Sequence, residues 1–272
     1  MIEKNDIIEL IHNKIIINKD SLKQKWNNPK NTKTKYLIVD DLLPEDICKE
    51  IYNSFPKDLK GFYLRKSFRE SKKTSANMNI YDKILYNSLY AFQDKKIINV
   101  ISEITNIDYL EADEKLYASG LSAMRQGDFL NPHIDNSHNL TRDKYRRLNL
   151  LYYVTPEWKI KNGGNFELWD NKVCSQKTII SLFNRLVIME TNKTSWHSVS
   201  EVKTDMLRCC LSNYYFSEKF SSKYSEKYSH VTSFLGRPNE KFKRLYGYVD
   251  NCLRNTISKK LKFGRGKNLI NK

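Results

Sequence analysis

His133-Ile134-Asp135 is answered downstream by His197, in Thr194-Ser195-Trp196-His197, and then by Arg208. Two imidazoles and one carboxylate can occupy one face of a divalent metal ion and leave the opposite face open. In an extended strand alternate side chains share a face, so His133 and Asp135 point the same way and Ile134 points into packing. The third ligand has to come from a distant segment. His197 lies 197 − 133 = 64 residues later, far enough for intervening strands to fold back. These borderline-to-hard donors suit a redox-active divalent iron better than a thiolate set would, although catalytic zinc can use the same three.

Taken alone, His-x-Asp is a common accident of sequence, and Asp135-Asn136-Ser137-His138-Asn139 is rich in turn formers. Arg208 shifts the weight. It follows His197 by 208 − 197 = 11 residues and sits in Met206-Leu207-Arg208-Cys209-Cys210-Leu211, an apolar strand-like run. A buried arginine needs an anion, and its planar fork can hold a carboxylate through two hydrogen bonds. That anion is either the carboxylate of a small ligand or an acid of the chain itself such as Glu167.

From Gly127 to Phe216 the text is denser than these five residues. Gly127-Asp128-Phe129 leads into His133-Ile134-Asp135-Asn136, and Arg146-Arg147-Leu148-Asn149-Leu150-Leu151-Tyr152-Tyr153 precedes Trp158. Gly163-Gly164, Phe166-Glu167-Leu168-Trp169, Asn184-Arg185-Leu186-Val187, Trp196-His197, Arg208 and Tyr214-Tyr215-Phe216 follow. In order and approximate spacing this third of the chain resembles the Fe(II)/2-oxoglutarate-dependent oxygenases, most closely their prolyl 4-hydroxylase-like branch. The resemblance implies Fe(II) held by His133, Asp135 and His197. It also implies 2-oxoglutarate held through its distal carboxylate by Arg208 and Tyr153, with O2 as the second cosubstrate. The implied reaction is hydroxylation of an unactivated C–H bond with release of succinate and CO2.

One departure bears on that implication, and one agreement bears on reaction type. Where family members place a tyrosine near the metal-bound end of the cosubstrate, this chain reads Ala123-Met124-Arg125, so Arg125, Ser122 or a water has to substitute. Asp135 supplies the carboxylate that related halogenases lack, which argues against halogenation. Arg125, Asn136 and Trp196 are the candidate pocket or substrate contacts, while Trp158 and Trp169 read as core or rim aromatics.

The elements that must position these residues follow from periodicity. Asp6 to Ile17 and Ser21 to Trp26 read as helices, with Ser21 as a cap, and Tyr36 to Val39 as a short strand. Pro44 to Phe55 reads as a helix with Pro44 in its first turn, and Ile80 to Ile104 as one longer helix. From Leu116 to Phe216 the pattern becomes short strands and turns, with Gly163-Gly164 read as a hairpin turn between Leu148–Val154 and Phe166–Leu168. The order suggests an α+β, mainly β, fold: a double-stranded β-helix, or distorted cupin-like jelly roll, buttressed by N-terminal helices. We expect one catalytic domain with helical support over 1–110, the β core over 111–217 and a basic extension over 218–272.

The chain has 272 residues, a formal net charge of +16, 40% hydrophobic and 12% aromatic residues, which is enough apolar material for a core and excludes wholesale disorder. Five cysteines without a Cys-x-x-Cys pair suggest neither a zinc site nor a disulfide framework, and a reducing cytoplasm is the expected location. No apolar run is long enough for a transmembrane segment. Residues 218–272 carry 14 Lys or Arg and 4 Asp or Glu, hence 14 − 4 = +10 of the total. Within them Phe242, Leu245, Val249, Leu253, Ile257 and Leu261 recur at helical spacing, so an amphipathic helix docked by its apolar face is expected after Pro238. Ser233–Pro238 reads as a candidate lid beside the pocket.

The expected partner is a peptide or small-molecule substrate: a prolyl or other amino-acid residue, a saccharide or another metabolite. A nucleic-acid- or ribosome-directed oxygenase recruited by the basic tail is the second reading, weakened because no nucleic-acid motif accompanies the charge. A barrel that binds without turnover is the third.

Overall fold

The computed structural model describes residues 2–30, 32–218 and 230–261. Helices α1 (Lys4–Ile17), α2 (Lys19–Asn27), α3 (Glu45–Asn53), α4 (Lys83–Ala91) and α5 (Lys95–Thr105) come from the first part of the chain. The remaining long helix, α6 (Lys241–Leu261), follows the β region. Ile7, Ile8, Ile11 and Ile15 form the buried stripe of α1, at the three- and four-residue spacing that puts side chains on one face. That stripe and the buried faces of α4 and α5 share one hydrophobic core with sheet residues Leu148, Leu150, Tyr152, Leu186 and Leu211.

Local polar chemistry accounts for the helix boundaries that periodicity misses. The single helix expected over 80–104 is two, because the Asp94 carboxylate accepts the Lys96 N–H at 2.8 Å and starts α5 afresh. Asn106, at φ +53°, ends α5 in the left-handed conformation that asparagine tolerates. Ser21 does not cap α2; Asn18 occupies that position and Ser21 lies inside the first turns. Pro44 stands at the N-cap of α3, one position before its first turn.

Thirteen strands form one curled antiparallel sheet. They are β1 (Tyr36–Asp40), β2 (Tyr63–Lys66), β3 (Glu70–Ser75), β4 (Glu111–Ala112), β5 (Gly120–Met124), β6 (Phe129–Ile134) and β7 (Tyr145–Tyr153). There follow β8 (Phe166–Trp169), β9 (Gln176–Ile179), β10 (Arg185–Glu190), β11 (His197–Val199), β12 (Arg208–Ser217) and β13 (Ser233–Phe234). The hydrogen-bonded path runs β1-β10-β7-β12-β5-β3-β6-β11-β8-β9, with β2 on β3, β4 on β12 and β13 on β6. Strand β3 turns the corner: Lys73–Ser75 pair with β5, whereas Glu70 and Ser71 pair with β6. The result is the expected jelly-roll, cupin-like fold.

Three differences from the sequence reading have physical causes. The first part of the chain holds more strand than expected, since β2 and β3 join the sheet along with the expected β1. Glu70-Ser71-Lys72-Lys73-Thr74-Ser75 has no apolar alternation, and pairing with β5 and β6 makes it a strand. Gly163-Gly164 is not a hairpin turn: β7 pairs with β10 and β12, while β8 pairs with β9 and β11, so the chain crosses between the two halves of the sheet there. Helix α6 is present but inverted, with Phe242, Leu245, Val249, Leu253 and Ile257 exposed.

Asn184 ties the helical layer to the barrel. Its amide accepts from the Leu43 N–H at 3.1 Å and the Tyr152 hydroxyl at 2.7 Å, and donates to the Leu43 carbonyl at 2.6 Å, all buried. The residue sits at φ +60°, where asparagine is tolerated far better than a β-branched residue.

Candidate metal and cosubstrate site

His133 and His197 are direct cross-strand partners on β6 and β11, which brings their rings to 4.0 Å between centroids. Asp135 follows the last residue of β6. One ligand atom from each of His133, Asp135 and His197 lies within 4.8 Å of the other two. His133 Nε2 is 3.7 Å from Asp135 Oδ1, and His197 Nε2 is 3.5 Å from Asp135 Oδ2.

Both rings are oriented by the backbone. His133 Nδ1 is 2.9 Å from the Asn131 carbonyl and His197 Nδ1 is 2.9 Å from the Ser195 carbonyl. A carbonyl oxygen can only accept, so each Nδ1 carries the hydrogen and donates, leaving the Nε2 lone pair toward the carboxylate. Phe234 of β13 stacks on the other side of His133 at 5.2 Å. The segment read as a lid is therefore partly a strand of the sheet, paired through Phe234 to His133 itself.

Asp135 is supported by two residues not assigned from sequence. Asn149 Nδ2 donates to Oδ2 at 2.7 Å and Arg146 Nη1 lies 3.1 Å from the same oxygen. Arg146 also donates to Asn136 Oδ1 at 2.8 Å, and its guanidinium lies over the Tyr214 ring at 4.4 Å. The signal for Arg146 was available. An arginine within the apolar run of β7 needs an anion for the same reason as Arg208 does. Asn136, read from sequence as a pocket contact, is buried and lines the cleft described below, and His138 beside it does the same.

Burial alone would raise the Asp135 carboxyl, but the Arg146 guanidinium outweighs it and holds its pKa well below the ordinary carboxylate value. Burial, with His197 beside it, pushes His133 down to about 3. This has a consequence for the metal-free chain. Between the unfolded imidazole pKa and that folded value the unfolded state binds the extra proton, so stability falls as pH falls from about 6.5. We expect chelator-treated protein to lose stability progressively as pH falls from about 6.5 toward 4 in urea titrations. A flat midpoint across that range would contradict the buried neutral imidazole.

Arg208, on β12, is 4% exposed. Its guanidinium lies 4.8 Å from the centre of the Tyr153 ring and donates to Ser181 Oγ at 3.3 Å, with Met124 Sδ 3.5 Å from Nη1. Glu167 is engaged elsewhere, accepting from Ser198 Oγ at 2.5 Å and from Arg237 at 2.8 Å. Among the described residues no carboxylate forms an ion pair with Arg208. Its Nε and the Tyr153 hydroxyl are buried with no hydrogen bond of normal geometry. Buried polar atoms without a partner are costly, and a carboxylate within reach of the guanidinium and the hydroxyl would satisfy them. The pair lies near His197: Tyr153 and Phe166 share a cluster, and the Phe166 ring is 5.7 Å from that of His197.

Gly164 gives the arginine its space. At φ +59° a side chain is strained, and a Cβ there would lie 2.8 Å from Arg208 Cδ and 3.0 Å from both Trp158 and Val202. Gly164→Ala should therefore displace Arg208, destabilise the fold by about 1–3 kcal/mol and weaken carboxylate binding about tenfold. Thermal melts and a 2-oxoglutarate titration check both effects; wild-type values in both would remove this steric role.

Arg125 and Trp196 are placed elsewhere. The Arg125 guanidinium donates to the Lys57 carbonyl at the surface, and its backbone N–H donates to Asp128 at 2.7 Å. Trp196 packs against Trp169, Val173 and Leu235. Neither lines the cleft over the ligands. That cleft has a volume of about 610 Å³ and lies between β2–β3, β13 and α6, with His133 and Asp135 in its wall. A smaller lobe of about 150 Å³ meets it at Asp135 and runs past Arg146, Ser122 and Ser212.

Comparison with known proteins agrees with this geometry. Residues 119–216 match the family model described as the 2OG-Fe(II) oxygenase superfamily. The chain is 26% identical over 212 residues to prolyl 3-hydroxylase OGFOD1 of Xenopus laevis, covering 71% of this chain and 39% of that protein. It is 31% identical over 77 residues to the Mus musculus protein of the same name, covering 26% of this chain and 14% of that one. The chain thus spans well under half the length of these relatives. Among solved structures, a prolyl 4-hydroxylase from Phytophthora capsici superposes with a TM-score of 0.57 at 16% identity, covering 97% of this chain and 81% of that one. A prolyl hydroxylase from Trichoplax adhaerens, solved with a hypoxia-inducible-factor peptide, gives 0.52 at 16%, covering 82% and 94%. These two show the same fold. The segment that matches the 2OG-Fe(II) oxygenase superfamily model spans the histidines, the aspartate and the buried arginine alike.

Proposed function

We propose that this chain is an Fe(II)- and 2-oxoglutarate-dependent dioxygenase that hydroxylates an unactivated C–H bond and releases succinate and CO2. His133, Asp135 and His197 hold the iron; Arg208 and Tyr153 hold the distal carboxylate of 2-oxoglutarate. The observation that carries this reading is the buried, acid-free pair of Arg208 and Tyr153, whose orphaned atoms ask for a carboxylate close to a three-ligand metal site. Bound iron with its cosubstrate supplies O2 activation and the oxidising equivalents for C–H cleavage.

The chain's own residues do the positioning. The carbonyls of Asn131 and Ser195 fix which ring nitrogen faces the metal, and Asn149 and Arg146 keep Asp135 ionised and aimed. Ser181 orients the Arg208 fork. Phe234 and Phe166 flank the two imidazoles with apolar rings that exclude water from those sides.

Peptide-bound proline is the substrate favoured by the names of the relatives, and the cleft supports a peptide. Among the described residues β2 pairs only with β3, so its second edge, beside the cleft, can take an extended chain by main-chain hydrogen bonds. The test is succinate release with Fe(II), 2-oxoglutarate and O2, comparing proline-containing peptides with free amino acids and saccharides. A peptide that stimulates release and gains the mass of one oxygen supports this reading. Stimulation by the small molecules alone would move the substrate to another class, and no 2-oxoglutarate turnover with any of them would return the chain to the non-catalytic binding module.

A further inference from the structure

Helix α6 turns its apolar stripe away from the protein. Phe242, Leu245, Tyr246, Val249, Leu253 and Ile257 recur at intervals of three and four and so share one face. Their exposure runs from 50% at Ile257 to 90% at Phe242. The opposite face is held to the barrel by polar groups. Arg244 donates to the Val173 carbonyl at 2.8 Å, Asn251 bonds the Phe234 backbone in both directions at 2.8 and 2.9 Å, and Asp250 pairs with Arg69 at 2.6 Å. Gly247 lets the backbones touch, since a Cβ there would be 2.7 Å from the Phe234 carbonyl oxygen. Rolling the stripe inward would break these bonds and bury charge, so the outward orientation is built into the docking. A contiguous exposed apolar face of this kind marks an interaction surface.

We propose that this face docks on an anionic lipid surface, with α6 lying in the interfacial plane. Charge complementarity selects the occupant. Apart from Arg244, which holds the barrel, residues 241–261 contain Lys241, Lys243, Arg254, Lys259 and Lys260 against a single acid, Asp250, which Arg69 and Arg254 already engage. A second copy of the helix would bring basic residues against basic residues in either orientation, whereas anionic headgroups neutralise them. Aromatic residues suit that depth: Phe242, Tyr246 and Tyr248 are each more than half exposed, and Phe68 packs edge-on against Tyr246 at 5.0 Å to widen the patch. No helix of the described residues is long and apolar enough to cross a membrane, so the mode is peripheral. Ile257 and Arg254 also line the catalytic cleft, so docking sets the cleft mouth beside the headgroups.

The test is co-sedimentation of the full chain with vesicles of phosphatidylcholine alone or with about a third phosphatidylglycerol, at low salt and at about 0.5 M. Binding is expected to the anionic vesicles, weakened by salt. Val249→Ser/Leu253→Ser keeps every charge, changes only exposed side chains, and should bind at least about tenfold more weakly with an unchanged melting point. No binding to anionic vesicles would overturn the proposal, as would equal binding by the double variant, which would mean charge alone is at work. A wild-type dimer in sedimentation velocity that the double variant converts to monomer would instead assign the stripe to a second copy.

Discussion

His197→Ala should lose Fe(II) binding by more than about a hundredfold and abolish turnover, and His133→Ala should do the same. Each removes one of the three proposed ligands, whose donor atoms lie within 4.8 Å of one another. Anaerobic titration of Fe(II) and 2-oxoglutarate, followed by the visible charge-transfer absorption that chelation produces, is the direct measurement. His197→Ala is the cleaner variant, because His133 also carries the Phe234 stack and the pairing of β13. A charge-transfer band of wild-type affinity in well-folded His197→Ala would take that residue out of the ligand set. A band absent from folded wild type would point to another metal, and zinc, which accepts the same donors, is the first alternative.

Arg208→Ala should leave metal binding in place and raise the dissociation constant for 2-oxoglutarate. Losing a charge-assisted, two-point contact to a carboxylate costs about 2–4 kcal/mol, or about 30- to 1,000-fold in affinity. The expectation is sharp because the arginine has no competing acid among the described residues. Glu167, the acid that could have made it a structural salt bridge, is occupied by Arg237 and Ser198. Arg208→Lys should recover part of the loss, since an ammonium keeps the charge but not the planar fork. Calorimetric titration with 2-oxoglutarate measures both variants. Wild-type affinity in Arg208→Ala would assign the cosubstrate to a different cation and leave the orphaned Tyr153 hydroxyl unexplained.

Much of the proposed site is legible in the sequence, because its chemistry constrains residue type. A metal face needs donors, a buried guanidinium needs an anion, and alternation along a strand says which neighbours share a side; His133, Asp135, His197, Arg208 and Tyr153 follow from these rules and from a dense resemblance. Amphipathic periodicity likewise located α1, α3 and α6, since burying one face of a helix demands that spacing. Three things depended on contacts distant in sequence. Polar β3 is a strand only because β5 and β6 offer it hydrogen bonds, and Arg125 and Trp196 stand near the site in sequence but turn to the Lys57 carbonyl and to a separate cluster. The direction of α6 was the third. Periodicity says that its apolar residues share a face, but only Arg244, Gly247, Asp250 and Asn251, meeting Val173, Phe234 and Arg69 across the fold, decide that this face looks outward. Sequence determined which residues could do chemistry and which share a side; tertiary structure decided what each side meets, because hydrogen-bond partners far apart in the chain are chosen by folding and not by spacing.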